Sequence, residues 1–287
     1  MTTSLRRSAT ALSAVLLSAL GVLSLHSSGC SSSDSDGATA DAGLDRGPII
    51  EAPDAEAWTP VNLFPAIWLE SDGVTEAGGK VTQWADKSGN GNNAAQTDAN
   101  LQPKPVDFNG HKAVSFGSQS GMTIKDAKSL QWGKDDFAFF TVARYSGVND
   151  PLCADLYLKG VQMLVTPTSD ADGGGKASHF LMGTGESSRI QTKTTNGYAD
   201  GKAHVTSFRR KGSQLELRVD FQPAGSMTAA PVDISAVGTP GYVGAQNDGN
   251  WHQWLVGDIA TLIGVHATVS DDDLAKTETY LKDRYGL

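Results

Sequence analysis

The stretch QLELRVDF at 214–221 decides the fold class. Leu215, Leu217, Val219 and Phe221 alternate with Glu216, Arg218 and Asp220, and a period of two puts the apolar set on one side of an extended chain. Such a strand needs partners, and comparable stretches recur: FPAIWLE (64–70), KVTQWAD (80–86), HKAVSF (111–116), DFAFFTVARY (136–145), ASHFLMG (177–183), HVTSFRR (204–210) and QWLVGDIATLIGV (253–265). Gly, Asn, Asp or Pro separates most of them. Many short strands at close spacing predict an all-β sandwich or barrel, and no repeat of roughly 20–50 residues suggests a propeller or solenoid. The end of the chain changes period. Ser270 can cap a helix whose third residue is Asp273, after which Leu274, Thr277, Leu281 and Tyr285 share one face. One short C-terminal helix packed on the strands is expected.

Composition agrees. Of 287 residues, 39% are hydrophobic, 19% are charged and 32 are glycine, a globular balance tilted toward turns. Lys and Arg number 23 against 32 Asp and Glu, a net charge of −9, so the chain carries no broad basic footprint for nucleic acid.

The first sixty residues read as an address and a tether. Arg6 and Arg7 precede an uncharged apolar run at 9–25, which ends at Ser27-Ser28-Gly29-Cys30. That is the pattern of a secretory signal, and the run is short of the ~20 apolar residues a spanning helix needs. Small residues leading into a Cys resemble the lipobox of bacterial lipoproteins, with a departure at Ser27 where Leu is usual. The resemblance implies a signal peptide at 1–29, lipidation of Cys30 and attachment to the membrane through that lipid alone. Ser31, where an Asp would hold the protein back, implies the outer membrane or cell surface. The alternative is an unmodified Cys30 after ordinary cleavage, although the one Ala-x-Ala site nearby, Ala38-Thr39-Ala40, lies far past the apolar run. Residues 31–60 carry seven acids against Arg46 and little that is apolar, so the segment 30–60 is expected to be a flexible acidic tether.

The body, 61–287, carries a further resemblance. AIWLESD (66–72), VTQWADKSGNGNNA (81–94), KAVSF (112–116), DFAFFTVAR (136–144), HVTSFRRKGSQLELRVD (204–220), GDIATLIGV (257–265) and SDDDLAKTETYLKDRYGL (270–287) follow in that order. The series is similar to the laminin-G-like branch of the concanavalin A-like lectin/glucanase superfamily. It implies a two-sheet antiparallel jelly-roll sandwich and a lectin-like or glycan-degrading role. The sequence departs from the pattern at Thr261, where Glu is more usual, and Gly264 is a poor residue for a strand interior.

Chemistry is sparse. Retaining glycosidases set two carboxyls ~5–5.5 Å apart. The nearest approach is Glu70-Ser71-Asp72-Gly73-Val74-Thr75-Glu76, which has one residue too many and is interrupted by Gly73, so Glu70 and Asp72 read as solvated turn residues. Gly117-Ser118-Gln119-Ser120-Gly121 lacks a central Ser and is no nucleophile elbow. His111, His179, His204, His252 and His266 show no ligand spacing. Cys153 has no activating neighbour, and the 172–176 stretch DGGGK reads as a hairpin tip rather than a phosphate loop. Arg209-Arg210-Lys211 reads as a solvated strand end, with an acidic polymer as the alternative partner.

Two loops remain. Asp86-Lys87-Ser88-Gly89-Asn90-Gly91 matches the opening of a calcium loop, but Thr97 stands where the bidentate Glu belongs. The residues suit a tight turn with Gly89 and Gly91 at positive φ, and calcium at Asp86 and Asn90 is the alternative; no other cofactor is implied. Asn247-Asp248-Gly249-Asn250-Trp251-His252-Gln253-Trp254 offers what a sugar requires, planar hydrogen-bonding side chains and an aromatic face. Asn247, Asp248, Asn250 and Trp251 are the candidate ligand-binding residues, with Trp254 expected in the core. The leading expectation is a lipid-anchored, non-catalytic β-sandwich that binds a polysaccharide or other cell-surface ligand. A glycan-degrading enzyme of the same superfamily and a protein-interaction module are the alternatives, and fold alone does not choose among them.

Overall fold

The computed structural model describes residues 58–117, 119–148, 156–160, 163–169, 177–184, 189–191, 198, 200–247 and 249–287. The signal segment, Cys30, the tether up to residue 57, Cys153, the 172–176 stretch and Asp248 lie outside them. In chain order the strands are β1 (Ile67–Ala77), β2 (Lys80–Asp86), β3 (Ala94–Ala95), β4 (Lys104–Phe108), β5 (His111–Phe116), β6 (Met122–Ile124), β7 (Phe137–Val148), β8 (Tyr157–Lys159) and β9 (Met163–Ser169). They continue as β10 (Ala177–Thr184), β11 (Arg189–Gln191), β12 (Ala203–Lys211), β13 (Gln214–Val219), β14 (Gln222–Thr228), β15 (Gly241–Val243), β16 (Gln246–Asn247), β17 (Trp251–His252) and β18 (Leu255–Val265). Helix α1 (Asp271–Tyr285) closes the chain. All pairings are antiparallel.

Among the described residues one large antiparallel sheet and one small one result. The large sheet follows the path β11-β10-β9-β8-β15-β6-β3-β2-β1-β18-β7-β12-β13-β14, with β5 and β4 added beside β18, while β16 and β17 form a hairpin of their own. Strand β1 links two arms of that path. Its first residues, Ile67 to Glu70, pair with β18, and after an irregularity Val74 to Ala77 pair with β2.

Packing explains why the arms face each other. The larger core draws Trp84, Ile124, Tyr157 and Val243 from one arm and Phe139, Tyr145, Phe208, Leu217 and Ile259 from the other. A second core lies on the far side of β18, β7 and β12, where Phe140, Val142, Val205 and Ile263 meet Leu274, Leu281 and Tyr285 of α1. Strand β7 is thus covered on both faces: Phe137, Phe139, Ala143 and Tyr145 go to the first core, Ala138, Phe140 and Val142 to the second. That is why Phe137 to Phe140 run apolar without a break while QLELRVDF alternates. Phe221 departs from its expected strand position. With Asp220 it makes the turn between β13 and β14, at φ 68° and 49° respectively.

The two departures from the family pattern have local causes. A Cβ on Gly264 would sit 2.9–3.0 Å from Ile67, Phe139 and Trp132, so the core closes onto bare backbone there. Thr261 is fully buried, opposite Glu70, and its hydroxyl lies 2.5 Å from the Tyr285 hydroxyl on α1.

Candidate functional site

The hairpin β16–β17 carries the predicted recognition loop. Asn247 pairs with Trp251 and Gln246 with His252. The Gly249 N–H donates to Asn247 Oδ1 at 3.1 Å, and Gly249 takes φ 117°, a conformation that L side chains rarely adopt. Asn247 therefore spends its carbonyl on the turn. Asn250 is exposed, and its backbone carbonyl lies 2.8 Å from His252 Nδ1.

Trp251 is half-buried and stands in an aromatic group. Its ring meets Tyr242 edge-on at 5.6 Å and stacks on Trp254 at 6.0 Å, with 16° between the planes. Trp254 is also half-buried rather than in the core, because Gln253 turns the chain at φ 52° before β18 begins. Beneath Trp251 lies Gly121, where a Cβ would come within 2.5 Å of the indole. A glycine is required for that approach.

The strands below extend this platform. Gln83 pairs with Ala95, Ala95 with Thr123, Thr123 with Tyr242, and Tyr242 with Leu158. Directly opposed residues share a face, so Gln83, Ala95, Thr123, Tyr242 and Leu158 form one row across β2, β3, β6, β15 and β8. Their neighbours Trp84, Ala94, Ile124, Val243 and Tyr157 fill the core; the row is the outer face. Over it runs a groove of about 490 Å³ lined by Gln83, Asn93, Gln96, Thr97, Thr123 and Lys125 among others. Gln96 ties groove to platform by donating Nε2–H to the Gly121 carbonyl at 2.7 Å. Amides, hydroxyls and one ammonium thus lead up to an indole pair, and no Asp or Glu is among the described residues that line this groove.

Sequence reasoning found the hairpin and missed the groove. Thr123 could have been read from the alternation Met122-Thr123-Ile124, and Gln83 from its place beside a core Trp. The two-residue β3 carries no signal of its own, so Gln96 and Thr97 could not be placed.

The other candidates resolve locally. Asp86 accepts four hydrogen bonds, from the N–H groups of Trp68, Ser88 and Asn92 and from the Ser88 hydroxyl, at 2.7–3.0 Å. Asn90 donates to the carbonyls of Pro65 and Ala66, and Gly89 and Gly91 stand at φ 87° and 74°. These bonds staple the turn to the start of β1. Among the described residues no group of three His, Cys, Asp or Glu side chains could hold a metal ion.

Glu70 is not a solvated turn residue. It lies inside β1, fully buried, because α1 covers that end of the strand. Lys87 Nζ stands 2.5 Å from its Oε2, and Arg284 Nε stands 3.1 Å and the Tyr280 hydroxyl 2.9 Å from its Oε1. Burial, then the charge of Glu70, pushes the Tyr280 hydroxyl above its ordinary value. Asp72 is exposed, as read; slight burial would raise it, but Arg284 and Lys87 outweigh that and hold it low.

Arg209 and Arg210 likewise depart from the solvated strand end expected. They are 7% and 2% exposed, since β12 is an interior strand. Arg209 bonds Glu216, Asp271 and the Val269 carbonyl, while Arg210 bonds the carbonyls of Asp135, Val232 and Gly133. Both cations are consumed inside the domain. His204 sits between two carboxylates, Nδ1 2.9 Å from Asp220 and Nε2 3.2 Å from Asp200.

A mostly antiparallel β domain with an aromatic hairpin beside an amide-lined groove is the class these features define. No protein-family model matches the chain, and no curated protein matches it. Solved structures do. A GH54 α-L-arabinofuranosidase soaked with a cyclic sulfate inhibitor aligns with TM-score 0.60 at 14% identity, over 79% of this chain and 65% of that one. The binding domain of Paraclostridial Mosquitocidal Protein 1 aligns with TM-score 0.57 at 12% identity, over 77% of this chain and 53% of that one. Domain 4 of AbnA, a GH43 extracellular arabinanase from Geobacillus stearothermophilus, in complex with arabinotriose, aligns with TM-score 0.53 at 12% identity, over 75% and 97%. This chain thus spans about half to two thirds of the first two. At such identities the likeness speaks for the fold alone, one shared with a binding domain, with a domain solved in complex with arabinotriose and with a GH54 enzyme.

Proposed function

We propose that the chain is a lipid-anchored, extracytoplasmic carbohydrate-binding protein with a jelly-roll body, and that it binds a glycan without cleaving it. The observation that carries this reading is the row from Gln83 to Tyr242 that ends beneath the stacked Trp251 and Trp254. Sugar rings lay their apolar faces on such indoles while amides and hydroxyls take up the ring hydroxyls. The groove's lining of amides, hydroxyls and one ammonium supports binding over hydrolysis, which in most families works through two carboxyls. The lipobox resemblance at Cys30 and the acidic segment after it support attachment outside the cytoplasm.

The test is a titration of the purified chain against a panel of polysaccharides, followed by intrinsic Trp fluorescence. Saturable binding is expected, and Trp251→Ala should weaken it about tenfold or more, the loss of a buried aromatic contact. Thr123→Val, which removes one hydroxyl from the groove at constant shape, should weaken it less. Binding left intact by Trp251→Ala would overturn this site, and release of reducing ends by the wild type would replace the binding reading with the enzymatic one. Running the series with calcium and with chelator tests Asp86 and Asn90 separately.

A further inference from the structure

We infer that the turn carrying Val61 and Phe64 is a bilayer contact, through which the domain rests on the surface that its lipid anchors it to. The inference rests on the anchored reading above and adds a second point of attachment. Phe64 is 88% exposed and Val61 55%, two of the three large hydrophobic side chains so exposed among the described residues. They lie three apart on a 3-10 turn (Pro60–Leu63, capped by Phe64), a spacing that brings side chains onto one side.

The backbone is wrong for the residue as well. Phe64 is left-handed, φ 49° and ψ 59°, where Gly or Asn is at ease and an aromatic is strained. Its own packing does not repay that strain. The residues on either side are fixed: Leu63 packs on the second core, and the Pro65 and Ala66 carbonyls accept from Asn90 and Asn92. The ring is therefore held out rigidly, against both solvent and local conformation, as a contact for something apolar.

What it touches follows from where it sits and from its charge. The turn is the first element after the tether, so it lies where the anchored chain joins the domain. Thirty residues of sequence separate Cys30 from Pro60, and a random-coil chain of that length spans only roughly 30 Å end to end. After an acidic stretch, AWTPVNLFPAIWL at 57–69 carries no charge of its own. A bilayer interface suits a protruding Phe with a Trp nearby, and Trp58 is half-buried one turn earlier.

The test uses the full chain, purified with its lipid and placed in phosphatidylcholine/phosphatidylglycerol vesicles. Nitroxide labels are put at Phe64→Cys and, for comparison, at Val237→Cys on another loop, in a Cys153→Ser background. The label at 64 should be shielded from a water-soluble relaxant and accessible to oxygen, and the label at 237 the reverse. Equal access of the water-soluble relaxant to both would overturn the contact. Mass measurement of Cys30 separates the two readings. Should it prove unlipidated, the anchor reading falls, and flotation of the same chain with vesicles then tests the turn alone. Phe64→Gly, which suits the left-handed backbone, should reduce flotation roughly tenfold with thermal stability kept or raised. Undiminished flotation, or none by the wild type, would refute the contact.

Discussion

Glu70 shows how much a single residue's role depends on partners far away in the chain. From sequence it stands before Gly73 in a run of acids and looks wet; in the fold it is 0% exposed and holds Lys87, Tyr280 and Arg284. Two of those partners lie more than 200 positions along the chain, on a helix whose register against β1 no local pattern specifies. Removing the carboxylate empties a buried position and leaves the part-exposed Lys87 and Arg284 with Asp72 alone, so the cost falls below the roughly 3–5 kcal/mol of breaking a fully buried pair. Glu70→Ala is therefore expected to lower the urea midpoint, with Glu70→Gln recovering part of the loss through the Tyr280 hydrogen bond. A Glu70→Ala chain with a wild-type midpoint would mean that the cluster is solvated. The loop around Trp251 is the opposite case: N-D-G-N-W-H contains its own turn chemistry, and Gly249 and Asn247 close it without help from elsewhere.

At the scale of elements, legibility tracked how strongly one face is set apart from the other. Strands β2 and β5 begin and end where the stretches KVTQWAD and HKAVSF do, and α1 was found whole because its cap and its buried face lie within one continuous segment. The Ser270 hydroxyl accepts from the Asp273 N–H at 3.0 Å, while Asp271, Asp272 and Asp273 fill the first turn, where acids suit the helix dipole. Ser270→Ala should cost about 1 kcal/mol, read as a lower midpoint in urea with unchanged steepness; no change would show that the tertiary contacts of α1 alone fix its start. The strands that escaped notice are short or lack turn signals. The hairpin β13–β14 turns on Asp220 and Phe221, of which only Asp is a usual turn residue, and Asp220 takes its left-handed conformation while also accepting from the Val205 N–H and facing His204. Residues doing two jobs at once are what sequence pattern reads worst.

For the whole molecule, the order of strong strands and the closing helix conveyed an all-β body. They did not convey that β1 joins both arms into one path, since that depends on an irregularity inside a strand. They also gave no hint of the pH response that the assembled charges impose. Burial alone would lower the His204 pKa, but Asp220 and Asp200 outweigh it and raise it above the ordinary 6.5. The folded state then binds that proton more tightly than the unfolded chain, and linkage makes the contribution complete below about 6.5 and lost as pH climbs through the raised value. Carboxylates act at the other end. Burial opposes the shift at Asp72, and at Asp126 the Lys159 bond leads it; both end below the ordinary 3.8, so their contribution holds above that value and disappears as pH falls through the lowered ones. Stability should therefore be flat between about 4 and 6.5 and decline on either side. Urea midpoints measured from pH 3 to 9 should trace that plateau. Asp220→Asn should flatten the alkaline decline and leave the acid limb in place, because the proton on His204 then has one carboxylate in place of two. An alkaline decline of equal size in that variant would assign the effect to groups other than His204.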